Sequence, residues 1–202
     1  LYNEKTVADP AVLAKHGIDS DYIFYVSRLE HPGKNHQTLI RAFEALCAKQ
    51  VFDGALVLAG GDFLGAETVH HVVAESPVRE RIRLLGFVAA DDLPALFAGA
   101  VAFAFPSLYE GFGIPVLEAM ACGVPVVASN CSSLPEVWGD AVSDFEPTDA
   151  DDLCARLTEL IADPSLRKAR RESGLARAAT FSWARTARET WDVLRSLHGE
   201  KP

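Results

Sequence analysis

The chain alternates short unbroken apolar runs with longer stretches in which apolar residues recur every three or four positions. The unbroken runs, Tyr22–Val26, Ala55–Ala59, residues 101–105 and residues 124–128, have the length and character of strands covered on both faces. Residues 81–85 alternate charged with apolar side chains, as an outer strand does, and residues 142–145 read as a last edge strand. Helical stretches lie between them. Residues 36–50 carry Leu39, Ile40, Phe43, Leu46 and Cys47 on one face, and residues 66–74 form another helix. Residues 91–98 start at Asp91, a fitting N-cap, and turn Leu93, Leu96 and Phe97 inward. Pro115 opens a helix that Gly123 and Pro125 stop, and Ser132 or Ser133 caps a short one over Leu134–Trp138. Three more helices follow over residues 149–162, 165–178 and 182–197, the last with Trp183, Ala187, Trp191 and Leu194 along one stripe. Residues 1–20 form a lead-in with a short helix that starts near Pro10 and stops at Gly17. Strand and helix in alternation predict an α/β fold, a Rossmann-like parallel sheet of about six strands with helices on both faces.

Open sheets of this kind meet their ligands at the carboxyl ends of the strands, so the loops there hold the candidate chemistry. After the strand at 101–105, Gly111 and Gly113 bracket Phe112, and the next helix begins within two residues. That order aims free N–H groups and the positive end of a helix dipole at one point, which an anion would occupy. Glu110 and Glu118 flank the point, eight positions apart. Carboxylates beside a phosphate repel it, so these two are better matched to hydroxyl groups on either side, a sugar and a ribose. On residues alone, a solvated Glu110 and a Glu118 that favours the helix start are an equally good account. The turn after Tyr22–Val26 carries Arg28 and Lys34, a planar fork and a mobile point charge that together suit a diphosphate. Two solvated cations are the simpler reading of that turn taken by itself. It lacks GxGxxG, which argues against a nicotinamide enzyme.

Composition narrows the partners. Nineteen basic against 28 acidic residues, a net charge of −9, disfavour nucleic acid or an anionic membrane as the main partner. Cys47, Cys122, Cys131 and Cys154 show no CxxC spacing and read as reduced thiols of a cytoplasmic protein. No run approaches the roughly 18 apolar residues of a membrane span. His70 and His71 are adjacent and point apart on a helix, and Asp91 and Asp92 have a sufficient reason at a helix start, so no metal is expected.

The stretch EGFGIPVLEAMACGVPVVAS, from Glu110 through Glu118 and beyond, resembles over about twenty consecutive positions the Glu-x7-Glu signature of the group 1 (family 4) glycosyltransferases. These are retaining, nucleotide-sugar-dependent enzymes of the two-domain GT-B fold. VSRLEHPGKN resembles the family turn whose Arg and Lys bind the donor's diphosphate, with Ser27 standing where many members have Gly. The resemblance implies catalytic roles for Arg28, Lys34 and Glu110. It implies donor contacts at Gly111, Phe112, Gly113, Ile114, Val116, Leu117 and Glu118, and a nucleobase contact through the main chain at Val88. It further implies a UDP- or GDP-sugar donor, no metal and no cofactor, and an acceptor that is a glycan, a lipid-linked glycan or a small molecule. The HPGKN turn is similar to that of bacterial mannosyl and polysaccharide-assembly transferases, which makes GDP-mannose a candidate donor.

The implied organisation is a lead-in from an N-terminal domain over residues 1–20, a nucleotide-sugar-binding domain over residues 21–180, and a helix over residues 181–202 that packs back toward that N-terminal domain. The chain opens at Leu1-Tyr2-Asn3, so the expectation is a C-terminal half that binds nucleoside diphosphate weakly and transfers no sugar alone. Its expected location is cytoplasmic, peripheral at the inner membrane face through the other domain. Another GT-B nucleotide-sugar enzyme, such as an epimerase, and a non-catalytic nucleotide-sugar sensor are the rival readings.

Overall fold

The computed structural model describes residues 2–197. The apolar runs become strands β1 (Tyr22–Val26), β2 (Ala55–Ala59), β3 (Ile82–Gly86), β4 (Ala102–Phe105), β5 (Val126–Ser129) and β6 (Ser143–Phe145). Among the described residues they form a parallel sheet in the order β3-β2-β1-β4-β5-β6. The chain builds outward from β1 to β3, returns to lay β4 beside β1, and builds outward again to β6. Phe24 stands opposite Phe103 across that central pairing. Because the order reverses between β1 and β4, the loops leaving these two strands diverge and open a crevice between them, the place where open α/β sheets take their ligands.

The helices are α1 (Pro10–Lys15), α2 (His36–Ala48), α3 (Ala66–Glu75), α4 (Leu93–Ala98), α5 (Ile114–Ala121), α6 (Leu134–Trp138), α7 (Ala150–Ala162), α8 (Pro164–Ala178) and α9 (Trp183–Leu197). In one layer α2 packs with α3 and α7; in the other α5 packs with α4, α6 and α8, as right-handed crossovers require. Aromatic rings fill the centre. Phe97 of α4 meets Phe24 at 5.2 Å and Phe103 at 5.1 Å between ring centroids, edge to face. Both edge strands fall where the pattern places them, β3 at one side and β6 at the other.

Two expectations are corrected. Asp92, not Asp91, occupies the N-cap of α4, and its carboxylate does not cap. It accepts from Lys15 Nζ at 2.6 Å and lies 2.9 Å from His16 Nε2, tying the lead-in helix α1 to α4. Ser133 sits at the N-cap of α6 but likewise makes no capping bond, because its hydroxyl is bonded to another loop. The apolar stripe of α9 lies off the sheet: no described residue of α9 is buried, and Trp183 is 80% exposed.

Candidate functional site

The crevice is built by joining the β1–α2 loop to the β4–α5 loop. Asn35 is the principal joint. It is buried, adopts a left-handed backbone at φ 54, and donates from its side-chain amide to the carbonyls of Pro106 (2.9 Å) and Pro147 (2.8 Å). The Thr38 hydroxyl donates to its Oδ1 at 2.8 Å, so every polar atom of the amide is used. Leu108 N–H donates to Gly33 C=O at 2.9 Å, and the buried Tyr25 hydroxyl to Lys34 C=O at 2.8 Å. Lys34 therefore enters the crevice from a backbone fixed at both neighbours.

Its ammonium donates to Glu110 Oε1 at 2.7 Å, with both side chains mostly buried (18% and 14% exposed). The two residues are 76 positions apart in sequence, and their meeting brings the cationic turn onto the glycine loop. Arg28 lies on the same β1–α2 loop with other partners. Its guanidinium is 2.9 Å from Glu30 Oε2 and 4.0 Å from the centroid of the Phe63 ring, and its side chain is otherwise open to solvent.

At the start of α5, Gly113 has φ 89, and a Cβ there would lie 2.4 Å from Leu134 Cδ2. Conformation and space each require glycine at this position. Among the described residues, the N–H groups of Gly111, Phe112, Gly113 and Ile114 meet no backbone acceptor. Val116 has its side chain fully buried in the core, and its N–H donates to Gly113 C=O at 3.0 Å. With Pro115 lacking an N–H, the N–H groups free of backbone acceptors at this helix start are those of residues 111–114.

Glu118 lies on the other flank of the same loop. With Phe112, Ile114 and Leu117 it lines a cleft of about 620 Å³ closed by Tyr2, Phe181, Ser182 and Trp183. Burial raises the Glu118 carboxyl above its usual range, opposed by the Tyr2 hydroxyl; Tyr2 in turn is held well above its ordinary value by burial and then by the charge of Glu118. At the carboxyl end of β3, Val88 is buried and Phe87 stands 85% exposed. The structure thus gathers Lys34 with Glu110, and Phe112, Ile114 and Leu117 with Glu118, on two flanks of one glycine loop. Arg28 stands on the turn that carries Lys34, and Val88 follows β3, the edge strand two places beyond β1. Among the described residues, no three His, Cys, Asp or Glu side chains gather at metal-ligand spacing.

Sequence reasoning missed the residues that hold this geometry: Asn35, and Ser132 and Ser133 of the β5–α6 loop, which bond both main-chain groups of Glu110. The two serines were legible only as helix caps, because their partner is more than twenty positions away and no local pattern encodes it.

A crevice at the sheet's reversal point brings together a cation, a glycine turn and two acids, groups whose chemistry suits an anion and hydroxyls. Residues 11–177 match the model of the glycosyl transferases group 1, and the chain belongs to that family. It is 39% identical over 176 residues to an O-antigen chain mannosyltransferase B of Escherichia coli, covering 87% of this chain and 46% of that relative. Among solved structures, sucrose-phosphate synthase of Thermosynechococcus elongatus superposes with a TM-score of 0.79 at 26% identity, over 98% of this chain and 51% of that one. The Anabaena protein HepE, solved in complex with UDP and glucose, superposes with a TM-score of 0.78 at 25% identity, over 95% of this chain and 54% of that one. The chain spans about half the length of the relatives it matches. Its fold is the Rossmann-like half of the GT-B glycosyltransferase architecture. Among the described residues no helix is long and apolar enough to cross a membrane.

Proposed function

We propose that this chain is the donor-binding half of a retaining, metal-independent glycosyltransferase that takes a UDP- or GDP-linked sugar, with GDP-mannose the favoured candidate. The observation that carries the reading is the 2.7 Å contact of Lys34 with Glu110 beside the glycine loop, at the crevice between β1 and β4. Likeness to an O-antigen mannosyltransferase and to a protein solved with UDP and glucose supports the donor class and favours a mannosyl group.

In this reading the diphosphate lies against the N–H groups of residues 111–114, with Lys34 and Arg28 on its far side. Charge builds on the diphosphate as it leaves, so both cations bind the transition state more tightly than the ground state. Arg28 brings its planar fork once Glu30 yields to phosphate oxygens. Glu118 accepts from the ribose hydroxyls, Glu110 accepts from hydroxyls of the transferred sugar, and the main chain at Val88 meets the base. The acceptor site and the second wall of the cleft belong to an N-terminal domain, so the chain alone binds donor weakly and transfers nothing.

Titration calorimetry near millimolar protein tests this with UDP, GDP, UDP-glucose and GDP-mannose. The expected Kd is on the order of 0.1–1 mM, about −4 to −5.5 kcal/mol. Glu118→Ala weakens nucleoside diphosphate and nucleotide sugar alike, whereas Glu110→Ala weakens only the sugar-bearing ligand. No heat with any of the four refutes the site, and equal losses in both variants refute the division of roles. The anomeric configuration of the product of the intact enzyme, read by proton NMR, decides retention.

A further inference from the structure

The loop after β5 grips the loop after β4 through a run of side-chain contacts. The Ser129 hydroxyl donates to the Ser107 carbonyl, and the Cys131 thiol donates to the same carbonyl at 3.1 Å. Three residues after Ser107, Glu110 N–H donates to Ser132 Oγ at 3.0 Å, and the Ser133 hydroxyl donates to Glu110 C=O at 3.0 Å. Both main-chain groups of Glu110 are thus held by adjacent serines of one neighbouring loop. The Glu110 side chain is mostly buried against Lys34, but Tyr109 and Gly111 on either side are exposed and nothing lies within 4 Å of where a Gly111 Cβ would be.

Each serine departs from its local preference to do this. Ser132 adopts φ 49, a left-handed conformation that disfavours a non-glycine residue by about 1–2 kcal/mol. Ser133 stands at the N-cap of α6, yet its hydroxyl bonds Glu110 and leaves the helix start uncapped. Two neighbouring departures that converge on one acidic residue are the mark of a functional constraint on that residue.

We propose that Ser132 and Ser133 are positioning residues that fix the main chain of Glu110, so that its carboxylate is aimed at Lys34 and at the sugar carried by the donor. This rests on the donor-binding reading above. Removing either hydroxyl frees the Glu110 backbone and blunts discrimination between a nucleotide sugar and the bare nucleoside diphosphate, without weakening the fold. Ser132→Gly is the sharper variant, because glycine accepts the left-handed backbone and should leave Tm unchanged or raise it. A purely structural serine would lower Tm instead.

The test measures Ser132→Gly and Ser133→Ala, each against the unaltered chain, by amide hydrogen exchange, thermal unfolding and calorimetry. In Ser132→Gly the Glu110 amide is expected to exchange about tenfold faster. Affinity for UDP-glucose or GDP-mannose is expected to fall about fivefold to tenfold in either variant, while that for UDP or GDP changes less than about twofold. Unchanged exchange at Glu110 in Ser132→Gly overturns the proposal, and so does faster exchange with undiminished preference for the sugar-bearing ligand. A Tm lowered by more than about 5 °C in both variants assigns the serines to stability and also overturns it. Failure of the donor-binding reading looks different: the unaltered chain then gives no heat with any nucleotide, and the proposal falls with it.

Discussion

Asn35 and His36 show how much of the crevice depends on single side chains. The Asn35 amide donates to Pro106 in the loop after β4 and to Pro147 in the loop after β6 while accepting from Thr38 of α2, and its left-handed backbone is one that asparagine tolerates better than most residues. Asn35→Ala leaves two buried carbonyls without donors and places alanine at φ 54, so it should destabilise the chain by about 2–4 kcal/mol in urea titration. Loss of less than about 1 kcal/mol would mean that water replaces the amide. His36, next in sequence, is 1% exposed, and burial holds its pKa near about 4. Its folded pKa lies below the unfolded value of about 6.5, so the unfolded chain binds the proton more tightly. The stability from the neutral imidazole is therefore complete above about pH 6.5 and is lost as pH falls through about 4, an amount on the order of 3 kcal/mol. Urea midpoints of the unaltered chain should fall across that window, and His36→Gln should flatten the fall. An identical pH profile for the two would place the acid sensitivity in the carboxylates.

Helix α8 acts as a common fastener for the helices around it. Arg167 donates to Leu160 C=O at the end of α7, Arg171 to Gly123 C=O just past α5, and Arg177 to Val137 C=O in α6. Each guanidinium meets carbonyls at or beyond a helix C-terminus, where partial negative charge collects and no intrahelical donor remains. Arg171→Ala should lower stability by about 1–2 kcal/mol and speed amide exchange along α5, with little change on α2 in the other layer. Equal acceleration in both layers would refute a local fastening role. None of these pairings is legible from the sequence, in which α8 is simply a basic helix after Asp163-Pro164. The elements themselves were legible, because unbroken apolar runs and helical spacing are local patterns that burial enforces. The Lys34–Glu110 contact was accessible only through topology and resemblance, and the serine clamp on Glu110 through neither. Hydrogen bonds between loops some 22 positions apart leave no periodic trace, and the serines carried a sufficient local reason as caps.

For the molecule as a whole, α9 sets the boundary of what this chain stabilises by itself. Its stripe of Trp183, Trp191 and Leu194 was read from spacing, but spacing says only that a face is apolar and not what covers it. The core of sheet, α4, α5 and α7 is closed without it: the largest buried side chains lie on the strands, on α2 and α4, and in the loop after β1. No described residue of α9 is buried, so deleting it exposes little apolar surface that the rest of the chain now covers. Ending the chain after Ser182 should therefore change the unfolding free energy by less than about 1 kcal/mol and leave the denaturant slope nearly unaltered, since that slope follows the surface exposed on unfolding. In the same experiment the cleft beside Glu118 loses Trp183 and Thr186 from its lining, while Phe181 keeps its edge-to-face contact with Phe112. If Glu118 serves the ribose, nucleoside diphosphate affinity should survive the deletion within about twofold. A loss of more than about 2 kcal/mol in stability would place α9 in the folding unit. A collapse of nucleotide binding at unchanged stability would instead mean that Trp183 and Thr186, and not Glu118 alone, hold the ribose in that cleft.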